Sequence, residues 1–176
     1  MLLTLLFFSI FLFGKAFCDT CLDVHCPAKW AYLAKTKSCY FVQDFTYPDA
    51  ENWQLYNWTT AELNCKRMGA HLVSIHSVEE DNFVYELILS RVGRYLNDQP
   101  CYNDLAAWIG YFGSGIVGTG NWTDGTPVDY IGRTPWTPWV VGAKMLNDPT
   151  CHFHQWAWSQ VEEKLSRYVC KKAATG

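Results

Sequence analysis

The stretch TTAELNCKRMGAHLVSIHSVEEDNFV, residues 59–84, predicts two helices joined by a short buried strand. Thr59 and Glu62 have the spacing of a capping box, in which each side chain accepts a hydrogen bond from a free backbone amide of the first helical turn. Apolar residues recur at helical spacing up to Met68, and Gly69 can adopt the left-handed conformation that ends a helix. We therefore expect the first helix between Thr59 and Gly69.

A buried strand and a second helix follow in the same stretch. The apolar run at residues 72–75 is typical of an extended, buried segment, and Ser77 with Glu80 repeats the capping-box spacing. The buried side of this second helix is expected to carry Phe83, Val84, Leu87 and Ile88.

The chain has 176 residues, of which 49% are hydrophobic, and a formal net charge of −3. This length and composition suit one domain with a sizeable core. The negative charge and the lack of a basic stripe argue against a nucleic-acid partner, because phosphate binding depends on clustered Lys and Arg.

Residues 2–13 form an apolar run that is too short to span a bilayer and stands ahead of small residues, as in a secretory signal peptide. We expect a signal peptide over residues 1–18, cut after either Ala16 or Cys18, and a short N-terminal extension over residues 19–25. The protein is therefore predicted to be secreted and extracellular, with no membrane span.

The eight cysteines are expected to form disulfide bonds, because exported proteins meet an oxidising environment. Cleavage after Ala16 leaves an even number of cysteines, whereas cleavage after Cys18 leaves an odd number. In the second case Cys21 is the expected unpaired thiol, and it could link two chains into a dimer.

Four further regions have recognisable patterns. Residues 26–42 read as a hairpin with a polar turn, and residues 106–111 as a short buried strand. Residues 113–150, rich in Gly, Pro, Trp and Asn, predict a long irregular segment of the kind that is usually functional or disordered. Residues 151–170 alternate apolar and polar side chains well enough for two closing strands.

Asn57-Trp58-Thr59 is an N-glycosylation sequon at the expected start of the first helix, where residues are normally exposed. A second sequon begins at Asn121, but it contains Trp122, which belongs to an expected core turn. Asn57 is therefore the favoured acceptor.

Five motifs together resemble those of the C-type lectin-like domain family, from Cys26 to Lys171 within a domain of residues 26–172. The resemblance implies an α+β fold in which two helices flank small antiparallel sheets, disulfides staple the domain, and a long irregular loop projects from one side. The motifs are Cys26-Pro27 with Trp30 and Ser38-Cys39-Tyr40, the block from Trp58 to Val84, Trp108-Ile109-Gly110-Tyr111, Asn121-Trp122-Thr123-Asp124-Gly125, and Tyr168-Val169-Cys170.

The resemblance also implies three disulfide bonds. The family's third bridge would pair Cys151 with a cysteine at the position where this chain has Glu163, so Cys101 becomes the expected partner. The implied bonds are then Cys26–Cys39, Cys65–Cys170 and Cys101–Cys151.

Sugar-binding members of the family hold one calcium ion through a Glu-Pro-Asn or Gln-Pro-Asp triplet and a Trp-Asn-Asp segment, since calcium takes oxygen ligands. Val-Gly-Ala at residues 141–143 and Trp-Ser-Gln at residues 158–160 stand at those positions, so almost every charged ligand is lost. We expect no metal and no cofactor, and calcium is not favoured. A shifted alignment could still recruit nearby residues that otherwise read as surface polar groups, namely Asp148, Gln160, Glu162 and Glu163.

A calcium-free site is suggested by Trp136 and Trp139, which prolines stiffen within the long irregular segment. Their flat faces suit stacking on a sugar ring or anchoring a protein partner. The alternative is that one or both indoles pack into the domain.

Catalysis is not expected, because the chain offers no nucleophile with its base, no carboxylate pair assigned to a cleft and no open metal site. His152 and His154 could share one face of a strand, but two ligands are too few for a metal site. We predict a secreted, non-catalytic module that binds a carbohydrate or an extracellular protein surface. The alternative is a secreted effector or inhibitor that binds a target protein through the aromatic long loop.

Overall fold

In a computed structural model of the chain, the described residues are 25–44, 54–90, 106–113, 119–132, 142–146 and 154–176. The expected signal peptide lies outside them, as does most of the expected extension with Cys21. Within the described parts, no helix is both long and apolar enough to cross a membrane.

Two helices and eight strands make up the described structure. The helices are α1, Trp58–Arg67, and α2, Val78–Leu89. The strands are β1 (Ala31–Leu33), β2 (Ser38–Gln43), β3 (His71–Leu72), β4 (Ala106–Phe112), β5 (Asn121–Trp122), β6 (Gly142–Leu146), β7 (Gln155–Ser159) and β8 (Tyr168–Ala173).

The strands form a single sheet with the order β1-β2-β8-β4-β6-β7, while β3 pairs with β8 and β5 pairs with β4. All pairings are antiparallel except that of β4 with β8, which is parallel where Trp108 meets Tyr168. The hairpin, the buried strand and the two closing strands that the sequence predicts are therefore present in one α+β domain.

Strand β4 is the centre of the core because it is buried on both faces, which explains its almost continuous apolar sequence. Ala107, Ile109 and Tyr111 pack on the side of α2, and Ala106 and Trp108 pack on the side of α1. The alternation follows from the two-residue period of a strand. A single strand thus joins the two halves of the core.

The start of α1 differs from the expectation. Asn57 is the N-cap, and its Oδ1 accepts a hydrogen bond from the Thr60 amide at 2.8 Å. The predicted capping box of Thr59 and Glu62 is wrong, because the Glu62 side chain is buried and its Oε2 accepts the Leu72 amide at 2.8 Å. Glu62 joins the helix to β3 instead of capping it.

The predicted end of α1 and the predicted start of α2 agree better with the structure. Gly69 has a φ of 65°, the left-handed conformation expected after a helix. Ser77 caps α2 by accepting the Glu80 amide at 3.2 Å, but Glu80 Oε2 accepts the His76 amide and not that of the cap residue. As expected, Phe83, Val84, Leu87 and Ile88 of α2 pack on the core, and Tyr85 packs against it as well.

The segment over residues 113–150 is more regular than predicted, because β5 and β6 lie within it. Strand β6 pairs with both β4 and β7. A Cβ atom at Gly142 would lie 2.8 Å from Trp58 Cδ1, so a larger residue there would clash with the indole. The close packing of α1 on the sheet therefore depends on that glycine.

Two disulfide bonds are present among the described residues, Cys26–Cys39 and Cys65–Cys170. They join the pairs that the family resemblance implies. The bond expected between Cys101 and Cys151 lies outside the described residues.

Candidate functional site

The positions that the resemblance assigns to calcium ligands lie on two neighbouring strands. Gly142 and Ala143 are buried in β6, and Ala143 pairs with Trp158 of β7. Gly142 and Ala143 have no side-chain oxygen, so these two positions supply none of the charged ligands that a calcium ion needs.

An ion pair lies beside these positions. Lys144 Nζ on β6 is 2.6 Å from Glu163 Oε1, and the lysine side chain is only 8% exposed. This ion pair links β6 to the turn after β7. Glu163 stands where the resemblance implies a cysteine of the family's third bridge. Gln160 and Glu162, proposed as ligand-binding residues, are exposed on that same turn.

No three His, Cys, Asp or Glu side chains come together as a metal site among the residues that the structure describes. His154 stacks on Tyr85 with 4.0 Å between the ring centroids, so its imidazole packs against α2. His152 and Asp148 lie outside the described ranges.

Asp81 on α2 holds three side chains from the second half of the chain. Its Oδ1 accepts Trp156 Nε1 at 2.7 Å, and its Oδ2 accepts the Tyr130 hydroxyl at 3.3 Å. His154 Nε2 lies 3.1 Å from the same Oδ2, although without the alignment of a hydrogen bond. Because Tyr130 and Trp156 lie in different segments, one buried carboxylate fixes both against α2.

The adjacent Glu80 is fully buried and joins three other elements. Its Oε1 accepts the Tyr40 hydroxyl and the Lys171 ammonium, each at 2.6 Å, while its Oε2 accepts the His76 amide at 2.8 Å. Burial, and next the hydrogen bond to Glu80, raises the pKa of the Tyr40 hydroxyl far above its ordinary value. Tyr40 therefore remains a proton donor to this carboxylate.

The polar network continues into the turn after β5. Lys171 Nζ donates to Ser74, whose hydroxyl donates to Asp124 Oδ2, and the other oxygen of Asp124 accepts the Thr126 amide and hydroxyl. His76 Nδ1 is 2.7 Å from Asp129 Oδ1. These contacts hold the described part of the loop, residues 119–132, against the core.

Sequence reasoning missed Glu80 and Asp81 as organising residues. Both follow Glu79 in the first turn of α2, where the helix dipole accounts for negative charge. Glu79 is exposed and pairs with Lys35, whereas its two neighbours are buried. Only tertiary packing separates the three acids, so the local sequence contained no signal for their different roles.

A shallow groove of about 290 Å³ lies between α1 and the end of β4. We call it the α1 groove. Trp58 and Phe112 lie side by side in it, with 5.5 Å between their ring centroids. Its described lining comprises Trp58, Thr59, Glu62, Leu63, Lys66, Phe112 and Thr123.

Trp136 and Trp139 lie outside the described residues, so their proposed role remains a prediction. Asn57 is described and partly buried at the start of α1. The structure therefore describes the contacts that hold residues 119–132 in place, while Trp136 and Trp139 lie outside it.

Comparison with known proteins places the chain in a family. The lectin C-type domain model matches residues 54–172. A type-2 ice-structuring protein of Brachyopsis segaliensis is 34% identical over 113 residues, which cover 64% of this chain and 50% of that protein. The chain spans about half the length of the first curated relatives it matches.

Solved structures have the same fold. A calcium-independent type II antifreeze protein matches with a TM-score of 0.62 and 26% identity, over 86% of this chain and 97% of that chain. The cow C-type carbohydrate-recognition domain of CD23, crystallised in the presence of an oligosaccharide, matches with a TM-score of 0.63 and 25% identity, over 87% and 99% of the two chains. Since the family model covers more than half of its residues, the chain belongs to the lectin C-type domain family.

Proposed function

We propose that this chain is a secreted, non-catalytic module that binds a carbohydrate or a protein surface without calcium. The observation that carries the proposal is the Lys144–Glu163 ion pair beside β6. Glu163 is one of the carboxylates that a shifted alignment could recruit for a cation, and here it is already neutralised by a buried ammonium group.

The chemistry of calcium supports this proposal. The ion takes six to eight oxygen ligands. A nearby ammonium group repels it, because both carry positive charge. Gly142 and Ala143 offer no side-chain oxygen, while Gln160 and Glu162 are exposed side chains on a turn. The donors at these positions therefore support binding without calcium.

Ligand contact is proposed for the long loop, with Trp136 and Trp139 as aromatic anchors. Support comes from the frame around the loop, because Asp81 and Asp124 hold the described parts of it in place. A fixed frame lowers the entropic cost of binding a sugar or a protein surface.

A glycan array probed with the secreted protein tests the proposal. We expect the same bound glycans in calcium buffer and in EGTA, and loss of binding when Trp136 and Trp139 are both changed to Ala. Glu79→Gln, which changes an exposed residue of α2 with no proposed binding role, serves as the control and should bind normally. Binding that vanishes in EGTA would contradict the calcium-free mechanism.

The second form of the proposal is an effector or inhibitor that blocks a target protein through the same loop. Capture from extracellular fluid, followed by identification of the retained protein, separates it from glycan binding. Capture of the partner should survive glycosidase treatment of the sample. It should be lost when Trp136 and Trp139 are both changed to Ala. Release by glycosidases would assign the binding to sugar.

Ice is a further candidate ligand, because a type-2 ice-structuring protein and a calcium-independent type II antifreeze protein are among the proteins that this chain resembles. Thermal hysteresis measured on the purified chain tests this possibility directly. Ice binding without calcium requires a freezing point below the melting point in EGTA as well as in calcium. Equal freezing and melting points would exclude this activity.

A further inference from the structure

The α1 groove is built by one face of a helix and the end of the central strand. Thr59, Glu62, Leu63 and Lys66 are spaced at i, i+3, i+4 and i+7, which places them on the same side of α1. Opposite them is Phe112 at the end of β4. The groove runs along the helix for about 10 Å, since each residue adds about 1.5 Å.

Its apolar parts are held in place before anything binds. The Trp58 indole packs on Gly142, and its Nε1 donates to the Ile109 carbonyl at 2.9 Å. Leu63 lines the same groove, and 49% of it is exposed. The groove is therefore a preformed apolar surface that the described chain leaves uncovered.

Asn57 lies at one end of this surface. It precedes Trp58 directly and completes a sequon with Thr59, and both of these residues line the groove. Its Oδ1 is used in the helix cap, and Nδ2 is the atom to which an N-linked glycan is joined. A sugar attached there would start at the edge of the groove.

We propose that Asn57 carries an N-linked glycan whose two innermost N-acetylglucosamine residues lie along the α1 groove, from Trp58 toward Lys66. Transfer from a lipid diphosphate donor forms the bond between Asn57 Nδ2 and the anomeric carbon. The bond from that carbon to the diphosphate oxygen breaks, and the amide proton leaves as the lipid diphosphate is released. The proposal rests on the proposed secretion, because the donor is available only during export.

Three features favour this occupant. The groove has the length of a disaccharide, and its aromatic rings and Leu63 can pack against the apolar faces of sugar rings and acetamido methyl groups. The Lys66 ammonium, on a side chain that is 51% exposed, lies 3.4 Å from Glu62 Oε1, and its remaining N–H groups can donate to sugar oxygens at the far end. Covalent attachment gives the first sugar a high effective concentration beside Trp58, so weak contacts suffice.

The first test is NMR of the full chain secreted from glycosylating cells behind an unrelated signal sequence, which makes the result independent of the native leader. Mass spectrometry should find Asn57 occupied. We expect nuclear Overhauser contacts between the acetamido methyl protons and the Trp58 and Leu63 protons. A secreted chain with Asn57 unmodified, or an attached glycan without these contacts, would overturn the proposal.

Thermal unfolding supplies the second test, with Thr59→Ser keeping the sequon and Thr59→Ala removing it. We expect the Ser variant to melt about 2–4 °C above the Ala variant. The difference should shrink when Leu63 is also changed to Ala and should persist with Val78→Ala, which alters an equally exposed apolar residue on α2. An unchanged difference in the Leu63→Ala background would show that the sugar does not use the groove.

Discussion

At the scale of single residues, the contrast between Glu79 and Glu80 shows how burial decides the role of a carboxylate. Glu80 has no exposed surface and accepts hydrogen bonds from Tyr40, His76 and Lys171. Removing one partner of a buried ion pair leaves the other charge uncompensated, which is far more costly than removing an exposed pair.

We expect Glu80→Gln to lower the free energy of unfolding by about 3 kcal/mol, because the Lys171 ammonium would lose its counter-charge. Urea denaturation followed by tryptophan fluorescence measures this change. Glu79→Gln, one residue earlier and exposed, should leave the same free energy nearly unchanged, because its ion pair with Lys35 is screened by solvent. Equal effects of the two substitutions would contradict the assignment.

Asp124 provides a prediction about pH. Its burial alone would raise the pKa, but hydrogen bonds from Ser74 and Thr126 outweigh that effect and lower the pKa below its ordinary value of 3.8. Since the folded-state pKa is the lower one, the carboxylate stabilises the fold above about pH 4. This contribution is lost as the pH falls through the lowered pKa.

Ser74→Ala should therefore raise the pKa of Asp124, and the variant should lose less stability on acidification than the parent. Carbon-13 NMR titration of the aspartate carboxyl groups measures the first effect. Asp129, whose pKa is lowered chiefly by His76, is the internal reference and should keep its value. An unchanged Asp124 titration would show that Ser74 is not responsible.

At the scale of elements, strand β6 is held by both its neighbours and the Lys144–Glu163 ion pair. We expect Glu163→Gln to cost about 1–2 kcal/mol, between the values typical of exposed and buried pairs. Lys144→Met should recover part of that loss in the double variant, because no unpaired charge remains. Chemical denaturation of the four proteins gives the coupling.

Glu162→Gln is the matched control, since Glu162 is exposed one residue away and should change stability by no more than about 0.5 kcal/mol. Strictly additive losses at positions 144 and 163 would mean that the ion pair does not stabilise β6.

Both helices could be predicted from sequence because their apolar spacing and the glycine after α1 are local signals. The cap of α1 could not, since Asn57 and Thr59 are both good cap residues and the choice depends on Glu62 reaching Leu72. Strand β6 was missed for a similar reason. Gly142 breaks the strand pattern, and its purpose is visible only with Trp58 packed against it.

At the scale of the whole molecule, the family resemblance indicated which cysteines pair because the motifs specify the order of strands. The site was less predictable. Asp81 receives donors from residues 49 and 75 positions away, contacts that a linear pattern cannot show. The fold can thus be predicted from local motifs, whereas the packing around the loop depends on contacts of buried carboxylates that are distant in sequence.

The two described disulfides should differ in their contributions. Cys65–Cys170 spans 105 residues and Cys26–Cys39 spans 13. In the loop-entropy model the longer bridge restricts the unfolded chain more, by about 1–2 kcal/mol. Replacing both cysteines of the first pair with Ala should therefore lower stability further than the same change in the second pair, as measured in urea. Equal losses would argue against this model.

His25 and Thr175 exchange backbone hydrogen bonds at 2.7 and 3.2 Å. The chain therefore enters and leaves the folded domain at neighbouring positions on its surface. A short linker joining those two residues, with new chain ends opened in an exposed loop, would give a circular permutant. The same geometry would allow the unit to be inserted into a surface turn of a carrier protein without separating the turn's ends.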